Sequence, residues 1–431
     1  MSFQRQIINL LMVFALAGVC FARTDEVVRP IDADLTRLDD LRVEGYEALY
    51  SLDYETANSK FNEMVRLFPD HPAGPQCLAA TLWLQELNRS RHRQAALYST
   101  ESFSDSDDKV DPRLKEQFRH WTQTATSLAA ARLRRNPRDV EALYFLGVTD
   151  GLKAVFAAGV ERRFRAALSD SSRAVERHRE VLKLDPDFHD AELSIGMHDF
   201  IVGSLPLPIK MLASIAGVRG SKKRGLETLE RVAREGQWAR VTARLLLIDI
   251  YKREKRWTES LAAARELAAR YPRNYLFQLQ AADALVARAA TLRRTKGASA
   301  AAASADQDEA FRIFESLLQS KTKNARGATD LIHFRYGEAL LTAGRIERAT
   351  EEFQAAARQI DSDPGLTAMA RLRAAQSMDV AGRRREALAE YRAVLERSKS
   401  QRSHEGAKRG LRQPYQIADQ NKEENRSTKS H

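Results

Sequence analysis

Cysteine is nearly absent from this chain of 431 residues, in which only Cys20 and Cys77 occur. Cys20 lies in an N-terminal apolar run, so removal of that run would leave Cys77 alone and exclude an internal disulfide. Cys77 falls in the apolar helical pattern PQCLAATLWLQEL, which predicts a small buried side chain rather than a reactive thiol. Core burial alone is therefore expected to hold the fold together.

Proline and glycine are also scarce, with 12 and 20 residues, whereas alanine, leucine, arginine and glutamate are common. This composition is typical of a mostly helical protein, because those four residues are among the best helix formers. Hydrophobic residues make up 43% of the chain, which suffices for a continuous core.

Catalytic signatures are missing as well. The sequence contains no phosphate loop of the GxxxxGK[ST] type, no GxSxG nucleophile elbow and no dinucleotide fingerprint. His178, His189 and His198 are spaced 11 and 9 residues apart, without an HExxH or paired-cysteine pattern. We therefore predict no catalytic residue, no cofactor and no metal; an enzyme built around His189 is the alternative that metal analysis would test.

The N-terminus reads as a signal peptide spanning residues 1–22. Arg5 precedes an apolar run from Ile7 to Phe21, and small residues at Cys20 and Ala22 frame a cleavage site. The run is shorter than the roughly 20 residues that cross a bilayer. We expect an exported, periplasmic protein; an uncleaved N-terminal anchor is the alternative.

Basic residues exceed acidic ones by 69 to 58, a net charge of +11. The segment from Arg397 to His431 holds nine basic and four acidic residues and so contributes +5. No aromatic residues alternate with these charges, which argues against nucleic acid as the partner and favours a disordered basic tail over 401–431. Anionic lipid or polymer is the expected target of such charge, so a membrane surface is a possible partner.

A repeated pattern organises most of the chain. Between Leu38 and His71, Gly45 occurs in a first helix and Ala57-x3-Phe61 in a second, with Pro69 eight residues later. Each requirement is steric, because glycine and alanine let two helices approach, the aromatic ring fills the space between them, and proline ends the second helix. The pattern recurs in Val241–Pro272, Asp330–Asp363 and Ala368–Ser400. Val140–Pro186 carries 15 extra residues, which predicts lengthened helices.

These units resemble the tetratricopeptide-repeat superfamily. We predict an all-α fold, a right-handed α-solenoid of tetratricopeptide-like helix pairs with an irregular central insertion. The predicted blocks are N-terminal repeats over 23–137, a central block over 138–292 with an apolar insertion at 201–220, an Ala/Ser-rich linker over 293–308, and C-terminal repeats over 309–400.

The central block resembles a narrower group, the tetratricopeptide-repeat 39 and inclusion-body-clearance family. The resemblance rests on the order of Gly196, Ser204-Leu205-Pro206, Ile209-Lys210, Leu212, Gly217, Gly220, Gly225-Leu226 and Tyr271-Pro272-Arg273-Asn274. It implies a helical repeat protein without enzymatic activity, often associated with membranes.

The segment from Ile201 to Val218 carries a single charge, Lys210. It is interpreted either as a loop and short helix packed over neighbouring repeats or as a surface for a membrane or partner. Two prolines oppose a membrane-spanning helix. The side chains singled out in this apolar insertion are Leu205, Pro206, Pro208, Ile209, Met211 and Leu212.

The concave groove of such arrays is lined by the first helix of each pair. By helical phase, the predicted groove residues are Arg42, Tyr46, Tyr50, Tyr144, Leu193, Met197, Leu245, Asp249, Lys252, Phe334 and Glu338. Their mixture of aromatic and charged groups suits a protein or peptide ligand, and any one of them can instead pack against the neighbouring pair. We therefore predict an exported scaffold or adaptor; the alternative is a membrane-associated protein of envelope assembly or lipid handling.

Overall fold

The computed structural model describes residues 33–89, 111–215, 218–295, 297–359, 362–397 and 401–416. These residues are helical or irregular, and no strand occurs among them. They form two compact units, one within Met1–Glu86 and Lys109–Asp249 and the other within Leu87–Asp108 and Ile250–His431. The boundaries between these two units do not coincide with those of the predicted N-terminal, central and C-terminal blocks. The predicted signal peptide at 1–22 lies outside the described residues.

The first unit holds α1 to α9 and most of α10. Their bounds are α1 Ala33–Tyr50, α2 Tyr54–Leu67, α3 Ala73–Arg89, α4 Pro112–Arg135, α5 Val140–Gly159, α6 Phe164–Leu184, α7 Glu192–Gly203, α8 Leu207–Ile215, α9 Lys222–Glu235 and α10 Arg240–Arg253, with a 3-10 turn at His189–Ala191. The boundaries between the units fall within α3 and α10.

The second unit continues from the end of α10 with a more regular series. Its helices are α11 Trp257–Arg270, α12 Tyr275–Arg294, α13 Ala300–Leu318, the short α14 Lys323–Arg326, α15 Thr329–Thr342, α16 Ile346–Arg358, α17 Pro364–Val380, α18 Arg384–Arg397 and α19 Gln401–Arg412. Helices adjacent in sequence pack against each other. The predicted fold class, an all-α solenoid of tetratricopeptide-like helix pairs with an irregular central insertion, is confirmed.

Many of the turns between paired helices share one backbone device. Five of them contain a residue with positive φ just after the first helix: Leu52, Arg162, Lys255, Gly344 and Gly382. In four of the five, the next N–H donates to the carbonyl five residues earlier, as Arg256 does to Tyr251 and Arg383 to Met378, both at 2.8 Å. This left-handed cap satisfies the last carbonyls of one helix and reverses the chain into the next.

Glycines in the first helices leave notches into which a ring of the second helix packs, and these notches set the distance between the paired helices. A Cβ atom on Gly45 would lie 2.2 Å from the Phe61 ring, and one on Gly337 would lie 2.6 Å from the Phe353 ring. The predicted steric reason for the Gly and Ala-x3-aromatic pattern is therefore correct. In the lengthened pair, α5 and α6, the imidazole of His178 fills the notch at Gly147 instead.

The lengthened pair is confirmed, since α5 and α6 have 20 and 21 residues. Among the described residues, α5 is the one helix long and apolar enough to cross a membrane by length and composition. However, 89% of its apolar window is buried inside the protein. It is the central core helix of the first unit.

Two stretches predicted to lie outside the repeats, the linker at 293–308 and the tail at 401–431, differ in the structure. The Ala/Ser-rich linker at 293–308 is largely helix, because α13 begins at Ala300, where alanine favours helix and the Ser299 side chain accepts a hydrogen bond from the Ala302 N–H at 3.1 Å. Arg288 of α12 then holds Asp306 through two hydrogen bonds of 2.7 Å. This polar contact, which apolar periodicity does not detect, anchors the first part of the helix, whereas Ala310 and Phe314, within the predicted repeats, are buried in its second part.

The predicted disordered tail at 401–431 also begins with a helix, α19. It packs on α17 and α18, and a Cβ on Gly410 would lie 2.2 Å from the Tyr391 ring. Its buried residues are small, Ser403, Gly406, Ala407 and Gly410, and Leu411 is its one large apolar residue, so it lacks the apolar stripe by which helices are recognised. Residues 417–431 lie outside the described part of the chain.

The central insertion is a short helix, α8, between α7 and α9. Pro206 precedes it and Pro208 lies in its first turn, where the missing N–H costs little, so the prolines start this helix rather than break it. Gly203 and Gly220 meet at its base: a Cβ on Gly203 would lie 2.1 Å from the Lys222 nitrogen. The insertion therefore leaves and re-enters the repeat at one closed point.

We predict that Gly225→Ala destabilises the first unit by about 2 kcal/mol or more, because overpacking here forces two backbones apart. The new Cβ would lie 2.4 Å from the Phe200 nitrogen and 2.6 Å from the Gly196 oxygen. Urea unfolding followed by circular dichroism measures the effect. Gly327→Ala is the control, since its closest neighbour is 3.3 Å away; equal unfolding midpoints for the two variants would contradict the prediction.

We also predict that stability falls between about pH 6.5 and pH 4 through His178. Burial lowers the pKa of His178 to about 4, although its hydrogen bond to the Tyr144 carbonyl raises it. The unfolded chain binds this proton near pH 6.5 and the folded chain does not, so the loss reaches about 3 kcal/mol as pH drops.

Unfolding midpoints at pH 7 and pH 5 measure the dependence. His178→Gln, whose amide N–H can replace the Nε2–H donor to the Tyr144 carbonyl, should reduce the fall in stability between these pH values, whereas the exposed His120→Gln should leave it unchanged. If the unfolding midpoint of His178→Gln falls between pH 7 and pH 5 as much as that of the parent does, His178 is not the source of the pH dependence.

Candidate functional site

The inner face of the first unit is filled by its own side chains. The Arg42 guanidinium lies 3.8 Å from the ring centroid of Trp238, and the Tyr144 ring lies 5.3 Å from the same indole. Tyr50 and Thr242, 192 residues apart, share a 3.2 Å hydrogen bond between their hydroxyls. The first helices α1 and α5 therefore close on the start of α10, and a desolvated cation–π contact of about 2 kcal/mol helps to hold them there.

Asp190 fixes the position of Trp238. Its carboxylate accepts hydrogen bonds from the backbone N–H groups of Trp238 and Ala239 at 2.8 and 2.7 Å, just before α10 begins. Burial raises the pKa of Asp190, while these hydrogen bonds lower it. This distant residue thus serves as the N-terminal cap of α10.

Most of the predicted groove residues are buried, which corrects the prediction that they line a groove. The side chains that are buried in the core, and so do not line an open groove, are Arg42, Tyr46, Tyr50, Tyr144, Leu193, Met197 and Phe334. Leu245 and Asp249 are partly exposed on α10. Helical phase places a residue on one face of a helix, but it does not decide whether another helix covers that face.

The second unit has a different inner face, formed by a ladder of charges on its first helices. Lys252 at the end of α10 lies 3.8 Å from Asp283 of α12. Asp283 also pairs with Arg335 of α15, and one helical turn further on Glu338 pairs with Arg373 of α17, its Oε2 accepting from Nη2 at 2.5 Å. We call these five residues the charge ladder.

The ladder lies at the edge of solvent. Its side chains are 9% to 27% exposed, from Arg335 to Glu338. Two amides extend it: Gln280 accepts from Lys252, and Gln376 accepts from Arg373 at 3.0 Å. Three cations and two anions give a net charge of +1 (3 − 2 = +1), so this face can pair with either sign of charge on a partner.

Lys252 and Glu338 of the ladder were predicted from the sequence, whereas Asp283, Arg335 and Arg373 were missed. Arg335 lies three residues before Glu338 and hence on the same helix face. Extending the predicted groove face of α15 from Glu338 by one helical turn towards the N-terminus includes Arg335. The pairing across helices has no signal in a single sequence.

The apolar insertion presents a second surface. Leu207 and Met211 of α8 are 71% and 60% exposed, and Val218 beyond it is 39% exposed. Of the predicted residues, Leu205 and Pro206 are partly exposed and Pro208 is exposed, while the side chains of Ile209 and Leu212 lie outside the described part of the structure.

Groups suited to chemistry are few in the described structure. No cluster of three or more His, Cys, Asp or Glu residues in that part of the chain could hold a metal ion. Burial raises the pKa of the Cys77 thiol to about 12, in agreement with its predicted role as a small core residue. A pocket of about 340 Å³ between the start of α12 and the end of α13 is lined mainly by polar neutral side chains, among them Tyr275, Gln278, Ser316, Gln319, Ser320 and Thr322.

No protein-family model matches the chain, and no curated protein matches it in sequence. Among solved structures, the human IFIT1 dimer with m7Gppp-AAAA is similar over 94% of this chain and 84% of that chain, at 11% identity and a TM-score of 0.43. A tetratricopeptide repeat protein from Parabacteroides merdae is similar over 78% and 99%, at 14% identity and a TM-score of 0.31. Yeast Tom70 is similar over 87% and 92%, at 11% identity and a TM-score of 0.34. Likenesses this distant carry no argument about partner or activity.

We predict that Asp283→Asn destabilises the second unit by about 2 kcal/mol, because it leaves the poorly exposed Arg335 facing Lys252 without the shared anion. Thermal unfolding measures the change. Glu309→Gln is the matched control: its ion pair with Arg265 is exposed, and its loss should cost less than about 1 kcal/mol. If the two variants melt alike, the ladder does not stabilise the repeats.

Proposed function

We propose that this protein is a non-enzymatic scaffold that binds a protein or peptide partner along the charge ladder. The observation that carries the proposal is the ladder itself, in which charged and amide side chains on successive first helices form one partly exposed row. The proposal also places the scaffold outside the cytoplasm, and the N-terminal pattern over 1–22 is the support for that part.

An intact, partly buried ion pair adds little net stability, even though removing one partner is costly because it strands the other charge, so a purely structural face gains more from apolar residues. A charged row has a different use, because its internal pairs can be exchanged for pairs with a partner at small net cost. The second helices support the row from behind: Phe353 fills the notch at Gly337, next to Glu338. The row is therefore a rigid template for binding.

The spacing of the row suggests the form of the partner. Packed helices lie about 8–10 Å apart, and an extended peptide rises about 3.3 Å per residue. Every third residue of an extended segment would then meet the next first helix. We expect a partner segment with charged side chains at about that interval.

Photo-crosslinking in the native host tests the proposal. A photo-reactive amino acid at position 338 should crosslink to a discrete partner, whereas one at position 351, exposed on the second helix α16, should not. Identical crosslinks from both positions, or none from 338, would count against the ladder as the binding face.

The charge swap E338R/R373E provides the matched variant. It keeps one ion pair between α15 and α17 but reverses the charges that a partner meets. We expect near-normal thermal stability and a loss of at least about tenfold in crosslinking from a photo-reactive residue at position 342, which is exposed one helical turn after Glu338 and outside the ladder. A folded swap variant that captures the partner as well as the parent does would refute the proposal.

A further inference from the structure

Beyond this scaffold role, we propose that α8 and the basic segment that follows it dock the protein on an anionic lipid surface. The described residues include five exposed large hydrophobic side chains, and three of them, Leu207, Met211 and Val218, belong to this one insertion. Exposed apolar residues gathered in one place mark a binding surface, whereas scattered ones do not.

The apolar residues share one face of α8. Leu207 and Met211 are one helical turn apart, and Pro208 and Ser214, also on this side, are exposed too. Lys210 lies beside this face and donates to the Gly203 carbonyl at 3.3 Å, which ties α8 back to the end of α7. The most exposed apolar side chains therefore point away from the repeat.

The base of the insertion is narrow and closed. A Cβ on Gly220 would lie 2.5 Å from the Val202 Cβ and 2.8 Å from the Asp199 oxygen. Arg224 adds a two-point ion pair to Asp199, with an Nη2 to Oδ1 distance of 2.8 Å. The repeat thus holds the projecting helix at one fixed point.

Charge identifies the occupant. Residues 199–227 contain five basic residues, Lys210, Arg219, Lys222, Lys223 and Arg224, and two acidic ones, Asp199 and Glu227, which pair with Arg224 and, at 3.8 Å, with Lys223. Arg219 and Lys223 are exposed and flank the apolar face in sequence. An apolar face bordered by cations matches a membrane interface, where acyl chains lie beneath anionic headgroups.

The size of the face favours lipid over a protein partner. A stable protein interface buries about 800 Å² on each side, and a few side chains on one nine-residue helix fall well short of that. Shallow insertion into lipid needs no such area, because hydrophobic contact and electrostatic attraction add together.

Vesicle flotation of the full chain tests the proposal, with vesicles of phosphatidylcholine alone and with 30% phosphatidylglycerol. We expect binding to the anionic vesicles to fall about tenfold in L207S/M211S, which removes the apolar contact. The matched control L67S/L168S also changes two exposed leucines, but outside the insertion, and should bind normally.

A second comparison tests the role of the cations. R219Q/K223Q is compared with R134Q/R138Q, which also removes two exposed cations and changes the net charge by the same amount. Each cation near an anionic surface contributes roughly fivefold, so only the first variant should lose binding strongly. Hydrogen exchange at 204–215 should slow when anionic vesicles are added, a readout that attachment through the N-terminus would not produce.

Three results would overturn the proposal. One is equal vesicle binding by L207S/M211S and the parent, which would place the attachment elsewhere in the chain. Another is hydrogen exchange at 204–215 that does not respond to vesicles. The third is parent protein that ignores vesicles and forms dimers that L207S/M211S dissolves, which would make this face a protein interface.

Discussion

The structure depends on the close approach of two helices within each repeat. Gly45 and Gly337 leave room for the rings of Phe61 and Phe353, and a single added methyl group at either glycine would overlap the ring. Between α5 and α6 the notch at Gly147 holds the neutral imidazole of His178, and both of its nitrogens are hydrogen-bonded. Because these contacts are tight, the second helices hold the first helices at fixed spacing, and the polar groups of neighbouring first helices can meet.

The two units use their first helices in different ways. In the first unit, the cation of Arg42 and the ring of Tyr144 pack around Trp238 and leave no open inner face there. In the second unit, Asp283 and Glu338 meet arginines across neighbouring helices at the edge of solvent. One helical pattern therefore produces a desolvated core in one place and a charged surface in the other. Scaffold binding is proposed for the charged surface, because charges that remain near water can change partners at small cost.

The insertion shows how a repeat can carry an additional surface without losing its packing. α7 and α9 pack as an ordinary pair, and glycines at the base let their backbones touch. Leu207, Met211 and Val218 of the segment between them remain exposed, and the docking proposal rests on these side chains and on the cations beside them.

By itself, the sequence determined the helix pairs, their turns, the lengthened pair and the place of the insertion, because each depends on residues within one repeat. It did not reveal residues 300–308 of α13, where Arg288 holds Asp306, or α19, whose buried residues are small and do not form an apolar stripe. Of the two proposed binding faces, it singled out the insertion and two ladder residues, whereas most of its groove candidates are buried in the core. Tertiary structure alone decided which first-helix faces are covered: Tyr50 and Thr242 meet across 192 residues, and local periodicity carries no information about contacts at that distance.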